Sequence, residues 1–230
     1  MKILQRTLPT IISITAIVIL IITAFEIGAY SNYGWYEKAY EKYGVLDKLD
    51  MKLQDVMHVT EEMMAYLRGN RADLVVETNV DGEKKEFFND REKAHMVDVK
   101  NLFVGGLWIR RISILIFVLA VVLLVKMKSD WRRILPKSFL IGFGVFIGLV
   151  TGIGIFVISD FNKWFLLFHK IAFQNDLWLL NPETDLLIRM LPEGFFLDMV
   201  MRIGVIMLLL MVISTVISII ALYRLIDKNI

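Results

Sequence analysis

The sequence predicts an all-α membrane fold: four transmembrane helices with both termini cytoplasmic, extracellular interfacial helices and one small β-hairpin. Three observations lead there: composition, the length of the apolar runs and the uneven placement of basic residues. Of 230 residues, 57% are hydrophobic, and the mean hydropathy is +0.60. That is too apolar for a soluble domain of this size. Four runs, at about 8–29, 107–125, 139–158 and 202–223, meet the roughly 20 residues a helix needs to cross the hydrocarbon core.

Charge sets the expected orientation. Lys2 and Arg6, then Lys126, Lys128, Arg132, Arg133 and Lys137, then Arg224 and Lys228 fall on one side, with Asp130 and Asp227 the acids among them. Of the chain's 26 basic and 24 acidic residues, this leaves 17 basic and 22 acidic elsewhere. The basic side is the cytoplasmic one. Loops at about 31–106 and 159–201 are then extracellular, and residues 1–230 form a single membrane-integral domain. The first run follows Lys2 and Arg6 as a signal peptide would. It is too long for a signal core and lacks a small-x-small cleavage site, so it reads as a retained anchor.

The net charge of +2 follows from topology and gives no reason to expect a nucleic-acid partner. With no cysteine in the chain, disulfides, zinc–thiolate sites and a cysteine nucleophile are excluded. In the third run Gly144, Gly148 and Gly152 share one face, the spacing of a helix–helix seam. A phosphate loop would need a preceding strand and a following Lys-Ser/Thr pair.

In the first outer loop Leu49, Leu53, Val56, Met63 and Leu67 recur at helical spacing, with Gly69 as a stop. Asp81-Gly82, between strand-like arms, is a hairpin turn. A second helix starts near Asn89, with Glu92 completing a capping pair. It carries His95 toward Gly105-Gly106, where a bend into the second span is expected. In the second outer loop Asp160 caps a short helix rich in Phe161, Trp164, Phe165 and Phe168, lying at headgroup level. Asn181 then caps a turn of helix with Pro182 at its first position, ending before Pro192.

The three histidines all fall in the outer loops. His58 shares a solvated face with Asp55 and Glu62, a charge-paired arrangement with no need of chemistry. His95 has Asp98 one turn on, placed to hold the imidazole in one tautomer or simply to pair with it at the surface. His169 sits among Phe165, Phe168, Ala172 and Phe173. Desolvation there lowers an imidazole's pKa and keeps it neutral, able to accept a proton. The plain alternative is a snorkelling interfacial histidine. Asn175, Trp178, Asn181 and Asp185 follow at unusual density, although Asn181 suffices as a cap and Trp178 as an interface anchor. Met51, Met57, Met63 and Met64 suit either an adaptable acyl-chain groove or ordinary packing. His95, His169 and Asp98 could supply two imidazoles and a carboxylate to a metal, but no H-E-x-x-H or paired-ligand spacing appears, so no metal site is expected.

"REKAHMVDVKNLF" (Arg91–Phe103) with "FHKIAFQNDLWLLNPETDLLIRMLP" (Phe168–Pro192) resembles the lipoprotein intramolecular transacylase family, Lit, of Gram-positive bacteria. "SNYGWYEKAYEKYGV" and "MHVTEEMMAYLRG" extend the likeness over essentially the whole chain. The resemblance implies an acyltransferase of the bacterial cell membrane that needs no cofactor. It would move the sn-2 acyl chain of a diacylglyceryl lipoprotein onto the α-amine of its N-terminal cysteine, giving a lyso-form lipoprotein. By motif, the catalytic pair falls on His95 and His169. Asp98, Lys100, Asn175, Asn181 and Asp185 are supporting or oxyanion candidates, and Trp178, Met63 and Phe173 are substrate-binding candidates. The expected mechanism makes His95, with Asp98 behind it, the general base. Partners would be the diacylated lipoprotein and membrane lipids, with the site on the extracellular side. The alternative is a non-enzymatic scaffold or lipid-binding sensor. A transporter fits less well, because no ionisable residue sits mid-span.

Overall fold

The structure is a computed structural model that describes residues 2–127 and 130–227. Lys128 and Lys228, two of the charges behind the expected orientation, lie outside the described residues. In chain order the elements are α1 (Lys2–Tyr30), α2 (Gly34–Lys42), α3 (Val45–Leu49), α4 (Leu53–Leu67), β1 (Glu77–Val80), β2 (Glu83–Glu86) and α5 (Asp90–Lys126). Then come α6 (Trp131–Ser159), α7 (Phe161–Ala172), α8 (Leu186–Met190) and α9 (Glu193–Asp227). Helices α1, α5, α6 and α9 are each long and apolar enough to cross a membrane.

The chain divides into two compact units. The first comprises residues up to Gly28, Leu107–Ser159 and the chain from Arg202. Its outward surface is apolar, with Ile141, Leu149 and Ile217 all more than 60% exposed, as lipid-facing side chains should be. Leu8, Ile12, Ala120 and Leu124 form a small buried cluster, and Arg110 is ion-paired with Glu26. The glycine face departs from expectation. A methyl added at Gly144, Gly148 or Gly152 would meet nothing within 4 Å, so no described helix closes on that face. The close approach is instead at Gly142, where a Cβ would collide with the Ser13 hydroxyl.

The second unit, Ala29–Gly106 with Asp160–Met201, has a water-soluble kind of core. Tyr40, Val45, Val56, Met63, Phe87, Phe88 and Met190 are almost fully buried within it. Here α3 packs on α8, and α4 on α2 and β1. The Tyr40 and Thr60 hydroxyls share a buried 2.6 Å hydrogen bond, and the Tyr43 hydroxyl donates to the Gly194 carbonyl at 2.8 Å. Gly194 must lack a side chain, since a Cβ would lie 2.6 Å from the Tyr43 ring.

The hairpin forms as the turn chemistry requires. Asp81 (φ 54°) and Gly82 (φ 77°) are both left-handed, joining β1 and β2 through a two-residue loop in antiparallel register Val80↔Glu83. Helix α4 ends before Gly69 (φ 86°). Helix α5 runs continuously through Gly105-Gly106, because glycine weakens a helix by only about 1 kcal/mol when flanking turns are hydrogen-bonded. At Pro182 the expected helix stops after one turn: Asn181 Oδ1 accepts from the Glu183 N–H at 3.0 Å as a cap, the Asn181 carbonyl accepts from the Asp185 N–H at 2.8 Å, and α8 begins at Leu186.

Candidate active site

Helix α5 has 37 residues, about 55 Å at 1.5 Å per residue. That is far more than the roughly 30 Å of hydrocarbon. Its apolar stretch is the C-terminal part, so the turns that carry His95 lie outside the span. The helix begins with a reciprocal cap. The Asn89 N–H donates to Glu92 Oε2 at 2.8 Å, and the Glu92 N–H donates to Asn89 Oδ1 at 3.0 Å. His95 follows one turn later. Helix α7 starts on the Asp160 carboxylate, which accepts from the Lys163 N–H at 3.1 Å, and carries His169 in its last turn.

The two histidines, 74 positions apart in sequence, meet in one aromatic cluster. Their ring centroids are 6.3 Å apart. Phe173 lies 5.2 Å from His95 and 5.6 Å from His169, and Trp178 lies 5.1 Å from His169. Phe165 closes the far side at 4.3 Å. Burial is deep for ionisable groups, with His95 7% and His169 9% exposed. It pushes the His95 pKa down to about 4; the nearby His169 adds to the fall and the Asp98 charge opposes it. Burial also lowers His169, while its bond to the Phe165 carbonyl pulls the other way. Both imidazoles are therefore neutral at pH 7.

Their hydrogen bonds differ. His169 Nδ1 lies 2.7 Å from the Phe165 carbonyl oxygen. A carbonyl only accepts, so Nδ1 carries the proton and neutral His169 keeps its lone pair on Nε2. His95 Nδ1 is buried without a hydrogen-bond partner among the described residues. Asp98, expected behind His95, instead accepts from Asn175 Nδ2 at 2.8 Å. It reaches His95 only as a charge.

The remaining candidates are held elsewhere. Asn175 Oδ1 accepts from the Leu177 N–H, so both ends of its amide are engaged. Lys100 donates to the Arg71 carbonyl at 2.7 Å and lies over the Tyr66 ring. Asn181 shapes its turn. Asp185 accepts from Asn181 N–H, Asn89 Nδ2 and the Thr184 hydroxyl. Burial alone would raise its pKa, but those bonds bring it below the usual carboxylate value. Met63 is 2% exposed inside the core, so no groove is open at it. His58 is exposed on α4. Phe173 and Trp178, by contrast, line an open depression of about 590 Å³ with Leu166, Lys170 and Leu179. Among the described residues, no group of three His, Asp or Glu side chains is placed to hold a metal.

Two features of the site were not read from sequence. The Phe165 carbonyl is backbone and leaves no side-chain signature beyond the i, i+4 spacing. The second oxygen of Glu92 accepts from the Leu187 N–H at 2.6 Å, 95 residues away, where local capping had already explained the residue.

The architecture is that of a multi-pass membrane protein with a compact unit in addition to its long apolar helices. Aligned over 100% of this chain and 98% of the other, it is similar to the membrane integral lipoprotein intramolecular transacylase Lit from Bacillus cereus, with a TM-score of 0.73 and 23% identity. A variant of that protein with one histidine replaced by alanine aligns with a TM-score of 0.72 and 21% identity, covering 95% and 94% of the two chains. An arginine variant gives 0.73 and 21%, covering 97% and 94%. At these identities the likeness speaks to fold. No curated protein matches the chain. The family profile described as lipoprotein intramolecular transacylase Lit matches residues 10–196. The chain belongs to that family, and it is an acyltransferase.

Proposed function

We propose that this enzyme moves the sn-2 acyl chain of a diacylglyceryl lipoprotein onto the α-amine of the same molecule's N-terminal cysteine, leaving a lyso-form lipoprotein. The site faces the extracellular side, and both termini are cytoplasmic. The observation that carries the reading is the buried pair of neutral imidazoles, centroids 6.3 Å apart, beside an open, partly apolar depression.

Donor ester and acceptor amine belong to one molecule, so no acyl carrier is needed and the enzyme's task is geometry and proton handling. The amine nitrogen attacks the ester carbonyl. His169 Nε2, its lone pair fixed by the Nδ1–H bond to Phe165, takes the amine proton and returns it to the departing glycerol oxygen. One C–N bond forms, one C–O bond breaks, and the proton count balances. His95, neutral because it is buried, offers an N–H to the developing oxyanion, where a placed donor is typically worth about 10²–10³ in rate. This reverses the base expected from sequence: Asp98 is committed to Asn175, whereas His169 has the orienting partner. Phe173 and Trp178 hold the acyl region against the rings.

The test is tandem mass spectrometry of a synthetic diacylglyceryl lipopeptide incubated with purified protein. An acyl chain relocated from glycerol oxygen to the cysteine nitrogen supports the reading. Hydrolysis to free fatty acid, or no change, refutes it.

A further inference from the structure

We infer that Glu92 is a positioning residue that sets the gap between His95 and His169 by latching the segment after α7 onto α5. The inference rests on the acyl-transfer reading above. Glu92 is 0% exposed, a fully buried carboxylate, and its two oxygens serve different parts of the chain. Oε2 caps α5 at the Asn89 N–H, and Oε1 takes the Leu187 N–H at the start of α8. Beside it Asn89 Nδ2 donates to Asp185 at 2.8 Å, and Arg91 donates to the Asp176 carbonyl. One turn beyond His95, Asp98 takes the Asn175 amide.

These bonds bracket His95 on α5 and fasten the segment that carries Phe173 and Trp178. Both rings of that segment touch the imidazoles, and the segment leaves directly from the end of α7. The spacing of the two histidines therefore depends on how α5 and this segment are held together. A buried carboxylate without paired donors is strongly disfavoured. Here both oxygens are matched to N–H donors, of which α5 needs only one for its cap. Aspartate is one bond too short to serve both ends. Glutamine keeps the shape but turns an NH₂ group toward one of the two N–H donors, breaking that end of the latch.

The steady-state transfer kinetics of Glu92→Gln on a diacylglyceryl lipopeptide test this, with folding checked by thermal melting. A misplacement of about 1 Å costs on the order of 10²-fold in rate. The expected result is a kcat lowered about 10- to 100-fold with KM within about twofold, in protein still folded at the assay temperature. In a His95→Ala background the same substitution should lower the rate by no more than about twofold, because the group it positions is gone. If Glu92→Gln does not fold, Asp185→Asn, which weakens the neighbouring tie, must show the same kcat-selective loss. A folded variant with wild-type kcat, a loss confined to KM, or an equal loss in the His95→Ala background overturns the inference. Failure of the wild-type protein to transfer acyl chains would instead remove the reading beneath it.

Discussion

His169 shows how little separates an interfacial histidine from a catalytic one. Its ring is buried among aromatics, yet the Phe165 carbonyl fixes which nitrogen holds the proton. This predicts unequal consequences for the two histidines. His95→Gln retains an amide donor for the oxyanion and should keep measurable transfer. His169→Gln cannot shuttle a proton and should lose about 10²–10⁴ in kcat. Initial rates by mass spectrometry decide between equal and unequal losses. The pH dependence follows from the same burial. Both folded-state pKa values lie below the ordinary 6.5, so the histidines stay neutral near pH 7, and transfer should fall in acid as His169 and the substrate amine are protonated. Stability has the same sign. Between about pH 4 and 6.5 the unfolded chain binds a proton at His95 that the folded chain does not, so stability is lost as pH falls through that window. Melting temperatures across pH 4–7 check this; a protein most stable at pH 4 would contradict it.

At the scale of elements, local chemistry was legible wherever it was sufficient. Asp81-Gly82 demanded a hairpin, the Asn89 and Glu92 pair a helix start, and Asp160 a cap, and each forms as expected. Gly105-Gly106 lies inside continuous helix, carried by strong helical turns on both sides, and the Asn181 cap opens only one turn before α8 starts at Leu186. The site divided in the same way. His95, His169, Phe173 and Trp178 come together, whereas Lys100 is held by Arg71 and Tyr66, Met63 lies in the core and Asn181 caps its own turn. Partners such as Arg71 and Tyr66 for Lys100 lie far off in sequence and could not be foreseen. The Met63 position yields a stability prediction. Its burial in the hydrophobic core means that Met63→Ala should cost about 2–5 kcal/mol, read from denaturant melts. A variant that stayed as stable but lost lipid use would restore the acyl-groove role.

For the whole molecule, the apolar runs revealed the four spanning helices at once, since lipid admits few alternatives to a helix. Orientation was read from Lys and Arg placement, and the native absence of cysteine makes it directly testable. Glu83→Cys, in the exposed hairpin strand, should react with a membrane-impermeant maleimide added to intact cells. Asp130→Cys should react only after permeabilisation. The reverse pattern would invert the topology and move the histidine pair to the cytoplasmic face.

The claim on which the rest depends is that two imidazoles act together on one lipid ester. Its most direct test follows acyl position on a diacylglyceryl lipopeptide with wild-type protein, His95→Ala, His169→Ala and the double variant, all verified as folded. The account predicts N-acylated product from wild type, a severe loss in each single variant, and a double variant little worse than His169→Ala alone. Full transfer by either folded single variant would contradict it.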